Sequence, residues 1–117
     1  MGRARASTPS PERVRGCSVP LAGALSSTRA DRAAGVFRAL ADPTRVQIVH
    51  LLRASPDPVC ICDFTACFSL SQPTVSHHMS RLRAAGLVTS SKRGIWTFYR
   101  LNPDLAEDVE AALAAVP

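Results

Sequence analysis

The stretch LSQPTVSHHMSRLRAAGLV, from Leu70 to Val88, constrains the fold more than any other part of the chain. Ser71 is placed to cap a helix, Pro73 is tolerated in its first turn, and Gly86 reads as a left-handed C-cap. Between them Val75, Met79 and Leu82 recur at helical spacing as an inward stripe, and Gln72, Thr74, Ser76, His77, Ser80, Arg81 and Arg83 fall outside it. Two alternating runs follow, LVTSS and IWTFYRL, separated by Lys92-Arg93-Gly94, which predicts a hairpin with a basic tip. Upstream, Val59, Cys60 and Ile61 read as extended, and a short helix begins near Cys62 or Asp63 and buries Phe64 and Phe68. Helix, turn, helix and basic hairpin in that order make a layout whose second helix enters the major groove while the hairpin reaches the backbone beside it.

The rest of the chain supports this frame. A first helix is expected from about Ser27 or Thr28 to Ala41, and Asp42-Pro43 reads as an N-cap followed by proline at the first position of a second helix, TRVQIVHLLRA. Asn102-Pro103 reads as the opening of a C-terminal helix with the stripe Leu105, Val109, Ala112 or Leu113, and Val116, suited to docking on a second copy of the chain. Residues 1–26, with three prolines and four arginines against one glutamate, have no apolar period and predict a flexible basic tail carrying Cys17; residues 27–117 form the folded domain. Charge is divided in the same way. Residues 27–101 hold ten basic and four acidic side chains, and residues 102–117 hold four acidic and no basic ones. The net +5 favours an anionic partner. No charge-free apolar run is long enough to span a bilayer and no signal peptide is evident, so a cytoplasmic protein without a membrane partner is expected.

The side chains on the second helix of the pair suit double-stranded DNA. Gln72 can pair with adenine, Ser71, Thr74 and Ser76 can bond bases or phosphates, His77 and Arg81 can meet phosphate or a base edge, and Lys92 and Arg93 suit phosphate or the minor groove. An enzyme is not expected, because no phosphate loop, acid–base cluster or CxxC at a strand–helix junction is present.

Four segments in order, FRALADPTRVQIVHLL, CICDF, LSQPTVSHHMSRLRAAGLV and KRGIWTFYRL, closely resemble the ArsR/SmtB family of metal- and metalloid-responsive repressors over roughly residues 36–101. The resemblance implies a mainly α (α+β) fold, a winged helix-turn-helix with a two-stranded β-hairpin wing and a C-terminal dimerisation helix. It implies a homodimer that occupies operator DNA and leaves it when an inducing ion binds. Met79 stands where the family usually has leucine, and Ile95 where the wing often carries a basic residue.

The resemblance also places CICD on the family's metal-binding box. The physical reading agrees. In an extended segment Cys60 and Cys62 point the same way and their sulfurs can converge on one ion, while a helix N-terminus at Cys62 favours the thiolate. Two sulfurs are too few for selective capture. Cys17, about ten residues before the first helix, has the reach to supply a third thiolate to its own or the other subunit's pair. Cys67 is the other option, although its place between Phe64 and Phe68 reads as core. The family's best-known arsenite sensors carry their third cysteine three residues after the box, where this chain has Thr65. Three thiolates without a nearby nitrogen suit trivalent arsenic or antimony, As(III) or Sb(III), with Cd(II) or Pb(II) as the alternative inducers. His50 and His78 read as structural. A thiol-redox sensor acting through the same pair is the remaining alternative.

Overall fold

The computed structural model describes residues 18–117; Cys17 and most of the expected tail lie outside them. Each helix at the front of the domain begins where a short polar side chain accepts an otherwise orphaned amide. Ser26 Oγ accepts from the Arg29 amide at 3.2 Å and opens α1 (Ser27–Leu40). Asp42 Oδ2 accepts from the Arg45 amide at 3.1 Å and opens α2 (Pro43–Ala54), with Pro43 in its first turn. After the prolines of the following loop come β1 (Val59–Cys60) and α3 (Ile61–Phe68).

Ser69, in the left-handed conformation at φ 53°, turns the chain into α4 (Gln72–Ala84), capped by Ser71 Oγ on the Thr74 amide at 3.3 Å. A Schellman closure ends α4: Gly86 at φ +77° donates to the Arg83 carbonyl at 2.9 Å, and Leu87 donates to the Leu82 carbonyl at 3.0 Å. Strands β2 (Val88–Arg93) and β3 (Trp96–Leu101) then form the wing.

Several expectations are corrected. The wing belongs to a three-stranded antiparallel sheet of order β1-β3-β2, because Val59 and Cys60 pair with Tyr99 and Phe98. Ile61 is the first residue of α3 instead of a third extended one, since its side chain is drawn into the core as the helix starts. Lys92 and Arg93 continue β2, opposite Thr97 and Trp96, so the turn itself is Gly94-Ile95. Asn102 does not open the last helix. Its Oδ1 accepts from the Asp104 amide at 2.9 Å and its Nδ2 donates to the Gly86 carbonyl at 2.9 Å, and α5 (Glu107–Leu113) begins only afterwards.

The core gathers Ile48, Val49, Phe64, Val75, Met79, Leu82 and Leu87, all essentially inaccessible. Val109, Leu113 and Val116 join it, so the stripe read as a docking face is turned into the protomer's own interior. The charged face of α5 meets α1 through Arg32 and Asp108 at 2.7 Å. That guanidinium holds the Asp108 carboxyl below the ordinary carboxylate range. Arg53 fastens the chain end by donating to the carbonyls of Leu113, at 2.8 Å, and Val116.

Candidate nucleic-acid interface and thiol site

With Val75, Met79 and Leu82 buried, α4 presents its opposite face outward. Gln72, Thr74, His77 and Arg81 are exposed there and Ser76 is half-buried. Ser71 Oγ and Thr74 Oγ1 lie 2.9 Å apart, so both hydroxyls take part in the helix cap. His78 is half-buried, as its structural reading requires, and accepts from Arg45 at Nδ1 across 3.2 Å. Arg45 Nε also donates to the Ala39 carbonyl at 2.6 Å, which ties the ends of α1 and α2 to α4.

On the wing side, Arg83 Nη1 donates to Ser90 Oγ at 3.2 Å and links α4 to β2. Sequence reasoning placed Arg83 only on the outer face, because nothing local announces a bond across seven residues. Arg93 stacks its guanidinium 4.7 Å from the Phe98 ring centroid, while Lys92 is exposed. The turn carries Ile95 and Trp96, 87% and 49% exposed, so the wing tip is apolar with the basic side chains just behind it.

The second site lies at the junction of β1 and α3. Cys60 is buried in extended backbone as the residue before the helix, and Cys62 is exposed in its first turn. Their sulfurs converge to 2.7 Å, with the Cys62 thiol donating to Cys60. The convergence expected from an extended CxC therefore holds although only Cys60 is extended. The hydrogen bond to Cys60 pushes the Cys62 thiol above its ordinary range, and burial and the charges of Cys60 and Asp63 act in the same direction.

Cys67 is exposed, not core, because Phe64 and Phe68 stack on each other at 6.1 Å on the inner side of α3 and leave it on the flank. Thr65 Oγ1 donates to the Cys62 carbonyl at 2.8 Å. His50, read as structural, is exposed and its Nδ1 lies 2.7 Å from the Pro117 carbonyl oxygen. Among the described residues no group of three or more His, Cys, Asp or Glu side chains is placed to hold an ion. Among the described residues the soft donors brought together are Cys60 and Cys62, a pair that fits a thiophilic ion in kind but falls short in number.

Fold and surface together define a winged helix-turn-helix DNA-binding domain. Residues 42–90 match the bacterial regulatory protein, arsR family. The chain is 41% identical over 81 residues to the arsenic resistance transcriptional regulator ArsR1 of Pseudomonas putida, covering 69% of this chain and 62% of that protein. It is 38% identical over 78 residues to an arsenical resistance operon repressor of Staphylococcus xylosus, covering 67% and 73%. Among solved structures it resembles the homodimeric winged helix-turn-helix DNA-binding domain of a possible ArsR-family regulator from Mycobacterium bovis, with TM-score 0.64 and 28% identity over 82% of this chain and 86% of that one. The chain belongs to the ArsR family, a family of DNA-binding transcriptional regulators and not of enzymes. No helix among the described residues is long and apolar enough to cross a membrane.

Proposed function

We propose that the chain is a metalloid-responsive repressor that binds operator DNA as a homodimer and is released when arsenite or antimonite is captured by Cys60 and Cys62, with Cys17 as the third thiolate. The observation that carries this reading is the 2.7 Å approach of the two sulfurs at the first turn of the helix-turn-helix pair. The arsenic-resistance names of relatives near 40% identity support the same inducer class. Gln72, Thr74, Ser76, His77 and Arg81 would face the groove, Ser71 would hold the start of α4, and Lys92 and Arg93 would meet the backbone.

The mechanism rests on where Cys60 sits. It precedes the first residue of α3 and is also the Cα partner of Phe98 in β3, the residue on which Arg93 stacks. Capture would replace the Cys60 and Cys62 thiol protons with bonds from sulfur to arsenic or antimony, each proton leaving with a hydroxide of the inducer as water, so the hydrogen bond between the two thiols would be lost. The change is felt at once in the first turn of α3 and along β1–β3 in the wing. Recognition helices must stay about 34 Å apart in a dimer reading adjacent turns, so a small shift loses contacts in both half-sites. A hundredfold loss of operator affinity corresponds to about 2.7 kcal/mol of coupling, within the ordinary allosteric range.

The test compares wild type with the Cys60→Ser/Cys62→Ser double variant, titrating As(III), Sb(III), Cd(II) and Pb(II) anaerobically against the operator complex. The variant should bind operator as wild type does and ignore every ion. Release of the variant by arsenite would refute the site, and release of wild type by cadmium or lead alone would replace the inducer. The close sulfurs also favour a second reading, thiol oxidation; release by peroxide in reductant-free buffer, with arsenite inert, would establish it in place of the first.

A further inference from the structure

The outer face of α4 has two flanks, and the wing accounts for only one. Arg81 and Arg83 are two positions apart on a helix and so project about 160° apart around its axis. Arg83 turns toward the wing and bonds Ser90. Arg81 turns the other way, into a 490 Å³ cleft between α4, the second half of α1 and the start of α2. Arg38, Arg45, His77 and Arg81 line this cleft, together with Gly35 and alanines, and among the described residues no acidic side chain lines it. Arg45 is fixed by its bonds to Ala39 and His78 and holds a permanent charge at the cleft wall. Arg38 and Arg81 are exposed, and neither side chain has a hydrogen-bond or carboxylate partner among the described residues.

We infer that this cleft is a second backbone-binding surface for duplex DNA, taking a phosphate of the strand opposite the one that the wing meets. The inference rests on the operator-binding reading and extends the contact to α1, which sequence reasoning left out of the interface. The physical reason is geometric. A helix lodged in the major groove has a phosphodiester strand along each side, and phosphate contacts on both sides fix its register. A concave, uniformly basic surface contiguous with His77 and Arg81 meets that second strand.

Counterion release supplies the test. Operator binding of wild type, Arg38→Gln, Gly35→Glu and the control Arg29→Gln is measured by fluorescence anisotropy across a range of salt. The Arg38 side chain is exposed and has no hydrogen-bond partner among the described residues, so its replacement should leave the fold unchanged. Outside its own helix turn a Cβ at Gly35 would meet no heavy atom of the described residues within 4 Å, so the cleft wall has room for a side chain to start there. Arg29 carries the same charge at the other end of α1, in the groove with Glu107 and Asp108. Losing one phosphate contact lowers the slope of log K against log [salt] by about 0.9 per bound subunit. For each subunit, the affinity gap between Arg38→Gln and wild type should then narrow about eightfold for each tenfold rise in salt.

The loss should be equal on operator and unrelated duplex, larger for Gly35→Glu, and absent for Arg29→Gln. A wild-type slope in Arg38→Gln overturns the cleft, and so does an Arg38→Gln effect confined to the sedimentation of the free protein, which would make the cleft a contact between copies. Wild type failing to bind duplex at all would instead overturn the operator reading.

Discussion

Replacing Asp42 with alanine tests whether the helix-turn-helix is held from behind by polar contacts at the α1–α2 junction. Asp42 caps α2 through the Arg45 amide at 3.1 Å, and its Oδ2 lies 3.8 Å from His78 Nδ1 on α4. Removing such a cap costs about 1 kcal/mol, which in a domain of this size lowers Tm by about 4–8 °C. The bond to the Arg45 amide, with the nearby charge of Arg45, holds the Asp42 carboxyl below its ordinary value of 3.8. The sign follows from that direction. Because the folded carboxyl is the stronger acid, its contribution is complete above the unfolded value and disappears as pH falls through the lowered folded one. Urea unfolding of wild type, Asp42→Ala and Asp42→Asn should show a gap for alanine at pH 7 that shrinks below about pH 4. Asparagine, which caps without titrating, should fall between the two at pH 7. An alanine variant as stable as wild type at pH 7, or a gap constant down to pH 2.5, would refute the reasoning.

Two further outcomes follow from local geometry. Gly86→Ala should destabilise the domain by about 1 kcal/mol in urea unfolding through backbone strain alone, because φ is +77° and a Cβ there meets nothing within 4 Å; an unchanged midpoint would contradict the Schellman closure. Native-state alkylation mapped by peptide mass should label Cys62 and Cys67 well before Cys60, which is only 6% exposed. Early labelling of Cys60 would mean that the β1–α3 junction opens readily.

Most of the architecture was legible because its punctuation is local. Ser71, Asp42-Pro43, Gly86 and the period of Val75, Met79 and Leu82 act within a turn or two of where they stand, and the structure places each as read. What escaped depends on residues distant in sequence. Val59 and Cys60 read as extended, but their pairing with Tyr99 and Phe98, some forty positions later, has no local signal. The α5 stripe faces inward because α1 lies under it, and an amphipathic pattern does not say which apolar surface it will cover.

Asn102 looked like a helix opener, yet its side chain is engaged by Gly86 and by its own turn. In the thiol site the CxC spacing foretold the meeting of the sulfurs. The helix terminus beside Cys62 is visible in the sequence, whereas the second sulfur that pushes the Cys62 thiol upward comes close only in the fold. Cys67 was misjudged because an eight-residue helix at the surface buries one narrow face, and Phe64 with Phe68 fill it.

The most direct test of the link between ion capture and DNA release is a single anaerobic titration of arsenite into the protein bound to fluorescent operator, with sulfur-to-arsenic ultraviolet absorption and anisotropy recorded on the same sample. The account predicts that both signals change together and end at one arsenic per Cys60–Cys62 pair. Absorption that saturates while the complex stays intact, or release with no absorption change, would contradict it.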